Sequence, residues 1–144
     1  METDTMSAVG IAYVGCGYVA DLYQKTLSNW TDTLDLRGIF DIDADRQQIF
    51  ASFYKIPSFD SMDALLDDPS VEIVVNLTNP DQHYEVSKKC LERGKHVYSE
   101  KPLALDFDQA GELVELANKV GRHIVSPPSA RWVRFEEPPG GERF

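Results

Sequence analysis

Three groups of residues have the types and spacing that chemistry requires. The first is Gly15-Cys16-Gly17-Tyr18-Val19-Ala20, a G-x-G-x-x-A pattern behind the apolar run from Ala8 to Val14. A strand that turns sharply into a helix presents unpaired backbone N–H groups and the positive end of the helix dipole. Such a turn binds anions, phosphate above all. It points to the pyrophosphate of a nicotinamide dinucleotide, although glycine and alanine are common and the pattern needs support from the rest of the chain. The second group is Asp41 with Arg46. An acid at the end of a second strand accepts hydrogen bonds from the adenosine ribose and repels a 2′-phosphate, which favours NAD. A nearby arginine accommodates that phosphate, so Arg46 keeps NADP possible. Alternatively, Asp41 only opens a loop that also holds Asp43 and Asp45. The third group is Thr78-Asn79-Pro80 and Glu100-Lys101-Pro102. Lys101 could polarise a carbonyl or relay a proton beside the nicotinamide. Glu100 could orient Lys101 or bond the nicotinamide ribose. The plainer alternative is a surface Glu-Lys pair of little energetic consequence.

These groups need a scaffold that brings them to one rim, and the hydrophobic pattern supplies one. Ala8 to Val14 reads as a central strand, apolar on both faces. A helix follows from Tyr18 to Trp30, with Val19, Leu22, Tyr23, Thr26 and Trp30 at helical spacing. Leu34 to Phe40 is a second strand. Asp43 caps a helix expected to bury Ile49, Phe50 and Phe53. Ile56 to Phe59 is a short extended piece, and Ser61 caps a brief helix with Met62, Leu65 and Leu66. Val71 to Asn76 and Lys95 to Ser99 are further strands, separated by a helix that ends at Gly94. Asp106 and Gln109 form a capping-box pattern for a helix expected to bury Ala110, Leu113, Val114, Ala117 and Val120. His123 to Val125 is the last strand. Alternating strands and helices indicate an α/β fold, a doubly wound parallel sheet of the Rossmann type with six strands in a single domain. Ligands of such sheets sit at the carboxyl ends of the strands. The expected organisation is a disordered N-terminus over 1–7, the dinucleotide-binding domain over 8–126, and an irregular tail over 127–144. That tail holds Pro127, Pro128, Pro138, Pro139, Gly140 and Gly141.

Composition sets outer bounds. The chain has 144 residues, 42% hydrophobic and 26% charged, which suits one globular domain. A net charge of −10 argues against nucleic acid, whose backbone is held by clustered Lys and Arg. It does not oppose a dinucleotide, whose phosphates are held mainly by backbone N–H groups. Cys16 and Cys90 make neither a disulfide framework nor a zinc site. Cys16 occupies the turn because a small residue is needed there, with a reactive thiol as the alternative. His83, His96 and His123 are not at metal-ligand spacing with acids or cysteines, so no metal is expected. No apolar run is long enough to span a membrane, and a reducing, cytoplasmic setting is the expectation. Tyr84 and Lys88 have the Y-x-x-x-K spacing of short-chain dehydrogenases without the matching glycine pattern. Packing is the better reading of Tyr84 and solvation of Lys88.

The glycine turn, Asp41, Thr78-Asn-Pro80 with His83, and Gly94-Lys-His-Val97 followed by Glu100-Lys-Pro102 resemble the N-terminal domain of the Gfo/Idh/MocA oxidoreductases. The resemblance covers roughly residues 8 to 126. It implies an NAD(P)-dependent oxidoreductase acting on sugars, polyols or related hydroxy compounds. It implies that Gly15, Gly17 and Ala20 form the pyrophosphate turn and that Asp41 takes the adenosine ribose. It places Thr78, Asn79 and His83 near the nicotinamide half, Glu100 on the cofactor, and Lys101 as the catalytic or substrate-orienting lysine. The full set of expected cofactor contacts is Gly15, Cys16, Gly17, Tyr18, Val19, Asp41, Ile42, Arg46, Thr78, Asn79, Pro80, His83, Glu100 and Lys101. Members of the family carry a second α/β domain that completes the substrate pocket and the oligomer interface, and this chain stops where it would begin. The expectation is therefore weak cofactor binding with little or no turnover, possible self-association, and, as the alternative, a non-catalytic dinucleotide-binding or regulatory module.

Overall fold

The structure, a computed structural model, describes residues 7–128. The N-terminal stretch and nearly all of the Pro/Gly-rich tail, including Trp132 and Phe135, lie outside the described residues. The elements are β1 (Val9–Val14), α1 (Tyr18–Leu27), β2 (Leu34–Phe40), α2 (Ala44–Tyr54), α3 (Met62–Asp67), β3 (Ile73–Asn76), α4 (His83–Glu92), β4 (His96–Ser99), α5 (Phe107–Val120) and β5 (Ile124–Val125). A single 3-10 turn, Pro80–Gln82, leads into α4. All strand pairs are parallel, in the order β2-β1-β3-β4-β5.

This order places the switch of chain direction between the adjacent strands β1 and β3. Both faces of β1 are covered, and its residues alternate between two cores. Ala12 and Val14 join Leu65, Leu66, Leu91, Leu113 and Ala117 beneath α3, α4 and α5. Ile11 and Tyr13 join Ala20, Leu27, Ile39 and Phe50 beneath α1 and α2. Period-2 alternation with both sides apolar is what a strand buried between two helical layers requires.

The sheet has five strands where the sequence predicts six. The piece Ile56 to Phe59 makes one parallel bridge, Ile39 with Ser58, beside the β2 edge. Ile39 N donates to Pro57 O at 3.1 Å and Phe59 N to Ile39 O at 2.8 Å. Pro57 has no N–H of its own, and the ladder goes no further.

Helix starts follow the sequence closely. Asp43 accepts from Arg46 N at 3.0 Å, Ser61 from Ala64 N at 3.0 Å, and Asp106 from Asp108 N and Gln109 N. Gly94 and Gly121 end their helices with positive φ, 77° and 66°. The buried faces were harder to read. On α2 only Phe50 is buried, at 7% exposure, while Ile49 is 71% and Phe53 75% exposed. α1 ends at Leu27 rather than at Trp30; its buried residues are Ala20 and Leu27, Val19 and Leu22 face out, and Trp30 lies exposed in the turn beyond it. On α5 Leu113 and Ala117 are buried and Val114 and Val120 are exposed. Each of these helices touches the sheet along a narrow stripe, because no further layer covers its outer side.

Candidate dinucleotide site

A cavity of about 630 Å³ opens at the carboxyl ends of β1, β2 and β3. It brings together Gly15, Gly17, Asp41, Ile42, Arg46, Thr78 and Asn79 from the sequence reading. Its size falls within the usual range for small-molecule sites.

The two glycines of the turn do different work. Gly15 has φ +96°, and a Cβ there would lie 2.7 Å from the Leu77 carbonyl carbon and oxygen. It is glycine because the turn passes against the exit of β3, and Gly15 N donates to Phe40 O at 2.8 Å on the other side. Gly17 is extended, with φ −82° and ψ −163°, and a Cβ there meets nothing within 4 Å. Neither backbone strain nor packing demands glycine at 17. What a side chain would obstruct is the space in front of the helix. Gly17 is also the N-cap of α1, and no side chain caps that helix. α2, α3 and α5 all have side-chain caps. α4 has no side-chain cap either, but a 3-10 turn leads into it, whereas α1 starts directly at the glycine turn with no side-chain partner for its first N–H groups. Ala20, fully buried, lets the helix lie close on the sheet.

Asp41 is 6% exposed and holds the turn as well as facing the cavity. Its Oδ2 accepts from Cys16 N at 2.8 Å, and its Oδ1 from Asp43 N at 2.8 Å. Its own N–H donates to Gln47 Oε1 at 2.8 Å. Arg46 reaches Asp41 and Asp43, both at 3.5 Å, from a half-exposed position. The carboxylate keeps lone pairs beyond these contacts. The loop-opening role and the ligand role are therefore compatible in one residue.

Cys16 is buried, and burial first, then the Asp41 charge, push its thiol up to about 12. It packs in the core beneath α1, where the raised pKa disfavours the thiolate. Tyr18 and Val19 occupy the first turn of α1 at 77% and 36% exposure, outside the cavity lining. Ile42, an apolar side chain almost wholly exposed, stands at its mouth.

Beyond β3 the chain builds a buried polar network. Asn76 accepts from Thr78 Oγ1 at 2.7 Å and donates to His83 O and Ser87 Oγ. His83 is 1% exposed, and its ring nitrogens contact Pro102 O at 2.5 Å and Thr78 O at 2.9 Å. His83 does not line the cavity. These two contacts place the ring between the Thr78 loop and the Pro102 loop, which it ties together from behind. Asn79 caps the 3-10 turn without a side-chain bond, and Pro80 opens it.

Glu100 and Lys101 follow β4 on the same rim but do not line the cavity. Glu100 does not pair with the Lys101 ammonium. Its Oε2 accepts from Lys101 N at 3.1 Å and its Oε1 from Tyr23 O–H at 2.6 Å. The exposed Lys101 ammonium makes no hydrogen bond or ion pair among the described residues. Tyr84 donates to Glu112 at 2.5 Å, which with burial pushes its pKa up to about 12, and Lys88 lies 5.8 Å from its ring. Tyr84 belongs to the α4–α5 surface, whereas Lys88, with Glu85, Lys89 and Glu92, lines the α4 side of the cavity.

Sequence reasoning missed Phe40, Met62, Leu77, Gln82 and Val86, which also line the cavity. Phe40 and Leu77 adjoin strand ends, so the carboxyl-end rule could have found them. Met62, Gln82 and Val86 come from helical segments that only tertiary packing brings to the rim.

The model of the Gfo/Idh/MocA family, described as an oxidoreductase family with an NAD-binding Rossmann fold, matches residues 9–127. The chain belongs to the Gfo/Idh/MocA oxidoreductases. It is similar to an inositol 2-dehydrogenase/D-chiro-inositol 3-dehydrogenase of Lactiplantibacillus plantarum, with 32% identity over 83% of this chain and 34% of that protein. Among solved structures it is similar to the WlbA dehydrogenase of Chromobacterium violaceum in complex with NADH and UDP-GlcNAcA, at 28% identity and a TM-score of 0.80 over 85% of this chain and 36% of that one. It is also similar to biliverdin reductase of Synechocystis in complex with biliverdin and NADP+, at 26% identity and a TM-score of 0.74 over 82% of this chain and 37% of that one. The chain thus spans about a third of the length of these relatives. Residues 9–127 have the NAD-binding Rossmann fold of that family. No helix among the described residues is long and apolar enough to cross a membrane, and no group of three or more His, Cys, Asp or Glu among them could hold a metal.

Proposed function

We propose that this domain holds NAD across the carboxyl rim of the sheet, for hydride transfer to or from a sugar, polyol or related hydroxy compound in the protein it serves. The observation that carries the proposal is the uncapped start of α1, facing a cavity in which a Gly17 side chain would meet no protein atom. The pyrophosphate lies against Gly15, Gly17 and the first N–H groups of α1, where the backbone and the helix dipole favour negative charge. Asp41 accepts the adenosine ribose hydroxyls with its remaining lone pairs. The adenine lies against the apolar wall of Phe40, Ile42, Met62 and Val86. The nicotinamide extends past Thr78 and Asn79 toward Glu100 and Lys101.

The cofactor supplies hydride chemistry and the protein supplies position and charge. The unpaired Lys101 ammonium is suited to stabilise charge developing on a substrate oxygen or to pass its proton. The inositol dehydrogenase and the UDP-GlcNAcA complex support a hydroxylated substrate. Buried, unpaired Cys16 and Cys90 fit a reducing, cytoplasmic setting. The exposed apolar residues Leu105, Phe107, Val114 and Val125 fit association with a further domain or a second copy.

Titration of the 144-residue chain with NADH and with NADPH, followed by nicotinamide fluorescence, tests the cofactor reading. Saturable binding with NADH the tighter ligand is expected. A folded chain that binds neither coenzyme overturns it.

A further inference from the structure

We propose that Tyr23 is a positioning residue that aims the Glu100 carboxylate at the nicotinamide half of the cofactor and ties the Lys101 loop to the helix that holds the pyrophosphate. The proposal rests on the NAD reading above. Tyr23 lies on α1, a turn and a half beyond Gly17, and Glu100 follows β4, far away in sequence. Nothing in the glycine pattern or in the Glu-Lys-Pro triplet marks Tyr23. The structure joins the two by a 2.6 Å hydrogen bond from the phenol to Glu100 Oε1.

The rest of Glu100 is fixed around that bond. Its backbone N–H donates to Asn76 O at 2.9 Å, which places it beside the end of β3. Its Oε2 accepts from Lys101 N at 3.1 Å, which shapes the backbone that presents the lysine. The Tyr23 ring meets Tyr98 edge to face, with centroids 6.1 Å apart, so the phenol cannot swing freely. Burial and the adjacent carboxylate push the phenol pKa up, so it remains a donor. A phenol on a carboxylate is a charge-assisted bond, stronger than a neutral one. Without it, the carboxylate keeps one weak backbone partner and is free to turn toward solvent. With it, lone pairs remain to accept from the N–H groups of the nicotinamide carboxamide, which ADP-ribose lacks.

The test compares NADH with ADP-ribose, which carries the pyrophosphate and both riboses but no nicotinamide. Affinities for both are measured on the wild-type chain, Tyr23→Phe, Glu100→Gln and the double variant. Tyr23→Phe keeps the ring against Tyr98, and a thermal melt checks that it folds. The expected result is a three- to tenfold loss of NADH affinity in each single variant, with ADP-ribose affinity changed less than twofold. The double variant should lose no more than the larger single loss, because both changes break one unit. Equal loss for both ligands, or additive losses in the double variant, overturns the positioning role. So does a wild-type chain that binds NADH no tighter than ADP-ribose. A wild-type chain that binds neither ligand instead overturns the underlying NAD reading. If Tyr23→Phe fails to fold, Tyr23→Met, which also removes the donor to Glu100, decides the outcome by the same NADH-to-ADP-ribose ratio.

Discussion

Gly15 and Gly17 share a motif, but their backbones impose different constraints, and substitution should separate them. Alanine at 15 must adopt φ +96° and place a methyl 2.7 Å from the Leu77 carbonyl. The strain of such a backbone costs about 1–3 kcal/mol before the clash is counted. Gly15→Ala should therefore lower the melting temperature by roughly 5–10 °C, measurable by circular dichroism without any ligand. Asp41 carries a similar double duty. Asp41→Ala strands the buried Cys16 N–H and should destabilise the chain by about 1–3 kcal/mol in urea unfolding. Asp41→Asn keeps an acceptor and loses the charge. It should cost less stability and narrow the preference for NADH over NADPH, as read from the two dissociation constants. The sequence showed that Asp41 stood at the right place. It could not show that Asp41 holds the turn, because Cys16 N reaches it only after β1 and β2 pair.

Among the elements, strand and helix existence was legible because apolar runs, caps and terminal glycines are local signals. Asp43, Ser61 and Asp106 cap the helices that the sequence assigns to them. The buried face of a helix is not local. Ile49, Phe50 and Phe53 are all apolar, yet only Phe50 points into the core beside Ile39. Phe50→Ala should cost about 3–5 kcal/mol, and Ile49→Ala should stay within about 0.5 kcal/mol, in urea unfolding. The start of β4, where His96 meets the residue before β5, carries a pH dependence of its own. His96 Nδ1 accepts from His123 N at 3.0 Å, the two rings stack at 5.2 Å, and Glu72 lies near. Burial, then the charges of Arg122 and His123, hold the His96 pKa below its usual value. Protonation thus favours the unfolded chain. The contribution is complete above the unfolded value of about 6.5 and is lost as pH falls through the folded one. His96→Gln, an acceptor that does not titrate, should show a shallower fall in urea midpoint between pH 7.5 and 5 than the wild type.

For the whole molecule, a net charge of −10 coexists with a site for a phosphate-bearing ligand. The charge is spread over the surface, whereas the turn offers backbone N–H groups aligned by α1. The switch between β1 and β3 came only with the strand order, whereas the two-sided sheet and the rim location of the motifs were readable from the alternation of elements. The sixth strand was not, because Pro57 limits that segment to one bridge. The walls from Met62 and Val86 were also beyond reach, since they depend on how α3 and α4 dock. The central claim is that the open start of α1 at Gly17 receives the NAD pyrophosphate. Thermal melting of the wild type and of Gly17→Val, each with and without NADH, tests it most directly. A ligand at a hundredfold its dissociation constant adds about 2.7 kcal/mol, roughly 8–12 °C for a chain of this size. The expected result is that rise in the wild type, with Gly17→Val melting within about 5 °C of the unliganded wild type and gaining nothing from NADH. An equal rise in the folded Gly17→Val variant would contradict the claim.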